Sequence, residues 1–293
     1  MSATILDGKA LAAQLREEIR QGVAALKAET GVVAGLGVVL VGENPASVSY
    51  VTAKERACAE AGILSKETRL PADATLDDVL KVVDGLNQDP EVDGILVQLP
   101  LPRQIDEQAV IEAIAPEKDV DGFTPVNVGR MMLGQKCFLP CTPHGILKML
   151  ERAGVATRGR HAVVVGRSNI VGKPVAQLLM RKGTDATITV CHTGTADLAA
   201  YTRQADILIV AAGRPQTVTA PMVKPGAAVI DVGVNRIPDP TKKNGFRLEG
   251  DVDFAGVKEV ASVITPVPGG VGPMTITMLL QNTLESARRR AGK

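Results

Sequence analysis

The sequence predicts an α/β chain of two domains, the second built on a parallel sheet. Three observations carry this. Helical and strand patterns alternate from end to end. The apolar runs at 36–41 and 94–99 are uninterrupted enough for strands buried on both faces. At 293 residues the chain has the size of two domains rather than one.

The elements follow in order. Leu11, Leu15, Ile19, Val23 and Leu26 recur at helical spacing behind Asp7, a capping residue. After the strand at 36–41, a turn at Gly42, Glu43, Asn44 and Pro45 leads into a helix through Tyr50 and Lys54 that stops at Gly62. A strand at 63–70, a helix at 76–86 and the strand at 94–99 come next, the last stopped by Pro100 and Pro102. Residues 115–140 carry turn residues and little periodicity, so a long functional connection is expected. Thr142 and Pro143 open a helix. The second half places strands at 162–165, 186–190, 207–211 and 227–232, and a final helix at 273–290. This βαβ order predicts ligands at the carboxyl ends of parallel strands.

Composition excludes several classes. Hydrophobic residues make up 45% and charged residues 22%, an ordinary globular balance. There is no Trp, and only 2 Tyr and 4 Phe, which argues against stacking on single-stranded nucleic acid. A net charge of +1 draws the chain neither to nucleic acid nor to an anionic membrane. Arg288, Arg289 and Arg290 read as the solvated end of a helix. The first residues lack a signal peptide's apolar stretch, and no segment has the length of a membrane span, so a cytoplasmic protein is expected. Cys58, Cys137, Cys141 and Cys191 read as reduced structural thiols, and no metal site is expected. His144, His161 and His192 have no spacing that suggests a triad and read as structural.

After the strand at 162–165 comes Gly-Arg-Ser-Asn-Ile-Val-Gly-Lys-Pro (166–174), then a helix. Gly166 suits a tight turn and Gly172 a close helix–strand contact, although Ser168 replaces the middle glycine of a Rossmann fingerprint. A helix start there would receive a pyrophosphate; a plain structural turn is the alternative. The next strand ends Cys191, His192, Thr193, Gly194, Thr195, without the carboxylate that commonly binds the ribose hydroxyls of NAD. Arg167 is near enough in sequence to pair with a 2′-phosphate, so NADP is expected over NAD.

Tyr50 and Lys54 lie four apart on one helix face, a spacing that surface residues also show. Gln98 interrupts an apolar run, and a buried amide without partners costs about 1–3 kcal/mol. Asp121 lies in the long irregular connection, and residues 266–275 offer flexible backbone at a helix start, suited to a flat ligand.

Together these segments resemble the bifunctional methylenetetrahydrofolate dehydrogenase/cyclohydrolase family across essentially the whole chain. The most specific matches are Pro-Gly-Gly-Val-Gly-Pro-Met-Thr (268–275) and Gln-Leu-Pro-Leu-Pro (98–102). Tyr50 with Lys54, Lys-Asp-Val-Asp-Gly (118–122) and the 166–174 loop match in order and spacing. The resemblance implies a folate-binding catalytic domain of 1–140 plus 273–293, a Rossmann-like NADP domain of 141–272, and a cleft between them. It implies that Lys54 is the key catalytic group, Gln98 its polar partner, Asp121 a ligand of the pterin and Tyr50 a group that orients the folate. Leu99, Pro100, Pro268, Gly269 and Gly270 would border the substrate. Gly166, Arg167, Ser168, Thr193 and Val232 would hold NADP; relatives often carry Ser at the position of Thr193 and Ile at that of Val232. A homodimer is implied as well.

The expected chemistry is oxidation of 5,10-methylene-tetrahydrofolate, which needs positioning more than acid–base help. Hydrolysis of the methenyl product to 10-formyl-tetrahydrofolate follows, with Lys54 relaying a proton from the attacking water. Competing readings are a shikimate- or amino-acid-type dehydrogenase, which leaves 268–273 unexplained, and a non-catalytic dinucleotide-binding protein.

Overall fold

The structure, a computed structural model, describes residues 2–242 and 245–293. In chain order come β1 (Thr4–Ile5), α1 (Gly8–Thr30), β2 (Gly35–Val41), α2 (Pro45–Ala61), β3 (Leu64–Leu70), α3 (Leu76–Gln88) and β4 (Gly94–Val97). Helices α4 (Glu107–Ala113), α5 (Pro125–Met132) and α6 (Cys141–Arg152) follow. Next are β5 (His161–Val165), α7 (Gly172–Met180), β6 (Thr187–Cys191), α8 (Leu198–Thr202), β7 (Ile207–Val210) and β8 (Ala228–Asp231). The antiparallel pair β9 (Asn235–Pro238) and β10 (Phe246–Glu249) precedes α9 (Phe254–Lys258), β11 (Val263–Ile264) and α10 (Val271–Arg290).

The chain divides into two compact units. One comprises Ala13–Cys141 with Ile276–Lys293, the other Met1–Ala12 with Thr142–Thr275. The first dozen residues differ from the expected boundary. The reason is hydrogen bonding: β1 lies parallel to β11, and Thr4 and Leu6 donate to the carbonyls of Ser262 and Ile264 at 2.8 Å.

The unit holding α2 is built on the parallel sheet β3-β2-β4. Every residue of β2 and β4 is buried, as their unbroken apolar sequences require. Thr75 and Asp78 form a reciprocal capping box at the start of α3. In that unit the terminal arginines are not a solvated end. Arg290 grips the buried carboxylate of Asp93 through Nε at 2.6 Å and a terminal nitrogen at 3.0 Å. Arg289 lies 4.3 Å over the ring centroid of Phe138. A buried carboxylate demands a paired cation, and the last turn of α10 supplies it.

The connection after β4 is more ordered than its turn-rich sequence suggests. Asp119, buried, accepts the amides of Gly122, Phe123 and Thr124, the Thr124 hydroxyl and the side-chain amide of Asn127. Thr124 in turn caps α5, where Pro125 occupies the first turn. The clamp closes through side chains, so α5 escapes a periodicity test.

The other unit carries a six-stranded parallel sheet in the order β1-β11-β8-β7-β5-β6. Chain order reverses at β5, which lies between β6 and β7, the position where doubly wound sheets open a ligand crevice. Its core of aliphatic side chains includes Val163, Leu208, Val229 and Ile264, all fully buried.

Candidate active site

In the unit holding α2, Lys54 sits on that helix, and Gln98 is the first residue beyond β4. The backbone amide of Gln98 donates to Val39 at 2.9 Å, carrying the ladder one residue past the strand. Its side-chain Nε2 donates to the Leu99 carbonyl at 2.6 Å, so the amide oxygen points the other way. That oxygen accepts from Lys54 Nζ at 3.0 Å. The apolar run is thus broken by an amide whose orientation is fixed from both ends.

Asp121 belongs to the same cluster. Burial pushes its carboxyl up to about 6, the Lys54 ammonium pulls against that shift, and the charge of Asp119 adds to it. Cys141 faces Asp121, and burial together with that carboxylate raises its thiol well above the ordinary range. Asn282 of α10 donates to the carbonyls of Val120 at 2.8 Å and Leu139 at 3.0 Å, fixing the backbone beside Asp121. Tyr50, one helical turn before Lys54, is half exposed. Leu99 is half-buried and Pro100 exposed. Pro268, Gly269 and Gly270 form a turn in the other unit, where the Gly269 carbonyl accepts from the Lys9 amide at 3.1 Å.

In that other unit, the loops after β5, β6 and β7 start from laddered backbone. Gly166 donates to Cys191 and Ala211 to Val165, each at 2.8 Å. Gly166 has φ +125°, and a Cβ there would run into the Ala211 carbonyl oxygen, so only glycine serves. The Ser168 hydroxyl accepts the amides of Val171 and Gly172 at 3.2 Å, shaping the entry to α7. Around these loops lies a cavity of about 240 Å³ at the carboxyl ends of β5 and β7. Gly166, Arg167, Ser168 and Thr193 line it, joined by His192 and Arg214. Val232 lies outside that lining, its amide tied to Val210 at the end of β8.

Sequence reasoning missed Arg214, Asp119 and Asn282. Each had a signal: a cation beside the glycine after β7, a second acid in the 118–122 segment, and a polar residue on an apolar helix face.

Family models match both parts of the chain: the catalytic domain of tetrahydrofolate dehydrogenase/cyclohydrolase over residues 6–121, and its NAD(P)-binding domain over 140–291. The chain belongs to this family. Among its relatives is the bifunctional protein FolD of Geobacillus thermodenitrificans, 59% identical over 293 residues and covering 100% of both chains. FolD of Moorella thermoacetica is 58% identical over 289 residues, covering 99% of this chain and 100% of its own. Among solved structures, the bifunctional FolD of Campylobacter jejuni superposes with a TM-score of 0.93 at 49% identity, covering 99% and 100% of the two chains. The Trypanosoma brucei enzyme, solved with NADP cofactor and an inhibitor, gives a TM-score of 0.95 at 41% identity, covering 99% and 98%. These matches support the folate reading and not the shikimate-type or non-catalytic alternatives. As a tetrahydrofolate dehydrogenase/cyclohydrolase, the chain is a bifunctional enzyme of one-carbon metabolism.

Proposed function

We propose that the chain oxidises 5,10-methylene-tetrahydrofolate with NADP and hydrolyses the methenyl product to 10-formyl-tetrahydrofolate through Lys54, Gln98 and Asp121. The observation that carries the assignment is the hydrogen bond from Lys54 to Gln98, which aims an ammonium group from a helix by way of an amide locked to Leu99.

For hydrolysis, water adds to the methenyl carbon and must lose a proton as one carbon–nitrogen bond of the bridge breaks. In its neutral amine form Lys54 takes one proton of the water and passes it to the departing nitrogen, and the second is released to solvent as the formyl carbonyl forms. Gln98 holds the amine in line through both exchanges. Asp121 accepts hydrogen bonds from the pterin ring, a role that suits an acid held beside a cation, and Tyr50 orients the folate from the adjoining turn.

NADP fits the cavity after β5: Gly166 admits a close backbone approach, and Arg167 and Arg214 give the rim positive charge. When bound, NADP supplies the hydride acceptor. Arg167 pairs with the 2′-phosphate, Ser168 and Thr193 hydrogen-bond the phosphate-bearing ribose, and Val232 flanks the nicotinamide. Pro268, Gly269 and Gly270 border the folate. The protein works in the cytoplasm as a homodimer. No helix among the described residues is long and apolar enough to cross a membrane.

The test is direct. Incubated with methylene-tetrahydrofolate and NADP, the chain generates NADPH absorbance, followed by hydrolysis of methenyl-tetrahydrofolate. Absence of NADPH in a chain that binds both ligands would reject the dehydrogenase reading.

A further inference from the structure

Beside the cofactor cavity, two aspartates and two glycines interlock. Asp231, at the end of β8, is 3% exposed, and its carboxylate accepts the amides of Gly233 at 3.0 Å, Asp251 at 2.9 Å and Val252 at 3.0 Å. Asp251, just past β10, is fully buried. A Cβ on Gly250 would overlap the Asp231 carboxylate, and one on Gly233 would overlap that of Asp251. Each acid therefore fills space left open by a glycine beside the other.

The Asp251 carboxylate reaches further. One oxygen accepts two successive amides, Ala212 at 2.6 Å and Gly213 at 2.8 Å, while the other accepts the Asn235 side-chain amide at 2.8 Å. Residues 211–214 are part of the cavity rim: Ala211, Ala212 and Arg214 line it, and the Ala211 carbonyl stands against Gly166. Two neighbouring peptide N–H groups held on one buried carboxylate oxygen fix the orientation of that stretch, because charge-assisted bonds strengthen away from water. Burying a second acid is costly and is tolerated where its donors are preset. Asp231 fixes the acid's own place by accepting the Asp251 backbone amide at 2.9 Å.

We propose that Asp251 is a positioning residue for the dehydrogenase reaction, holding segment 211–214 in the shape that receives NADP. The proposal rests on the reading of this cavity as the NADP site. Asp251 touches no reacting atom; its effect passes through Ala212 and Gly213 to the rim. An asparagine at 251 offers one oxygen and one amino group, so it keeps the backbone amides only if Asn235 turns its side-chain amide over and gives up the Glu249 carbonyl, and the negative charge is lost in either case. Exchanging the two residues restores the donor–acceptor match.

Calorimetric titration with NADP tests this, with hydrolysis of methenyl-tetrahydrofolate in the absence of cofactor as the parallel readout. Asp251→Asn should weaken NADP binding by about tenfold or more while hydrolysis stays within about twofold of the parental rate. The double exchange Asp251→Asn/Asn235→Asp should recover most of the affinity. Parental affinity in Asp251→Asn overturns the proposal and leaves the cavity reading intact; a parental chain that does not bind NADP overturns that reading and the proposal with it. If Asp251→Asn loses both properties together, Asn235→Ala decides, since it removes a single donor. NADP binding weakened by about two- to fivefold with hydrolysis intact supports the proposal, and unchanged binding overturns it.

Discussion

Lys54 Nζ and Gln98 Oε1 lie 3.0 Å apart, with the Gln98 amide turned toward the lysine because its own nitrogen is committed to the Leu99 carbonyl. The amine thus has a direction set by main chain just beyond β4 rather than by the lysine's flexible stem.

Lys54→Met removes the proton carrier and retains most of the side-chain bulk. Hydrolysis of methenyl-tetrahydrofolate should fall by about 10²–10⁴-fold, the span of acid–base catalysis. NADP binding should stay within about twofold, as the residue lies in the unit without the 166–174 loop. Parental hydrolysis in this variant would show that the proton travels elsewhere.

Arg167→Ala separates the two nicotinamide cofactors. The Michaelis constant for NADP should rise by about tenfold or more, because a phosphate loses its charged partner, while that for NAD changes little. Equal effects on both would deny Arg167 its phosphate contact.

Arg290→Ala leaves Asp93 buried without its cation. Breaking such a pair is strongly destabilising, and with Arg290 itself partly exposed the loss should be about 2 kcal/mol, read as a lower urea midpoint. Arg290→Lys restores charge without the two-pronged grip and should recover part of that loss. A midpoint unchanged by Arg290→Ala would place the pair among the inconsequential ones.

His144 sets part of the acid limb of stability. Burial, with help from Lys148 and Arg181, lowers its pKa from 6.5 to about 4, and its Nδ1 has no partner among the described residues. The unfolded chain takes up this proton first, so stability is lost as pH falls from 6.5 toward 4. His144→Leu should flatten denaturation midpoints across that window; superimposable profiles would remove the assignment. Asp231 acts with the opposite sign: burial raises its pKa from 3.8 to about 7, so its contribution is full below 3.8 and lost as pH climbs to 7.

The regular elements were legible because β2, β4, β7 and β8 are buried along their whole length and, up to the Asp231 that ends β8, are written in apolar residues and glycine. Lys54, Gln98 and Asp121 were legible one at a time, as a spacing, an interruption and a loop acid. Their convergence came only from the family resemblance and not from the residues themselves, since it depends on Asp119 and Asn282 fastening backbone far along the chain. The terminal arginines misled for the same reason: sequence shows three cations at a helix end, but not the buried Asp93 that one of them answers. Likewise nothing in the sequence singles out Asp231 and Asp251, whose partnership exists only once the fold sets each beside the other's glycine.

The pairing of Thr4 with Val263 joins the two ends of a loop of about 260 residues, whose closure carries a large entropic cost. During synthesis β1 emerges long before β11 and finds its neighbour strand only when residues through Ile264 have left the ribosome. Until then, β1 stays an unpaired strand that could add to the β11 edge of another copy. Cells making this protein at high density would meet that hazard late in translation, and a bulky fusion ahead of residue 4 would prolong it.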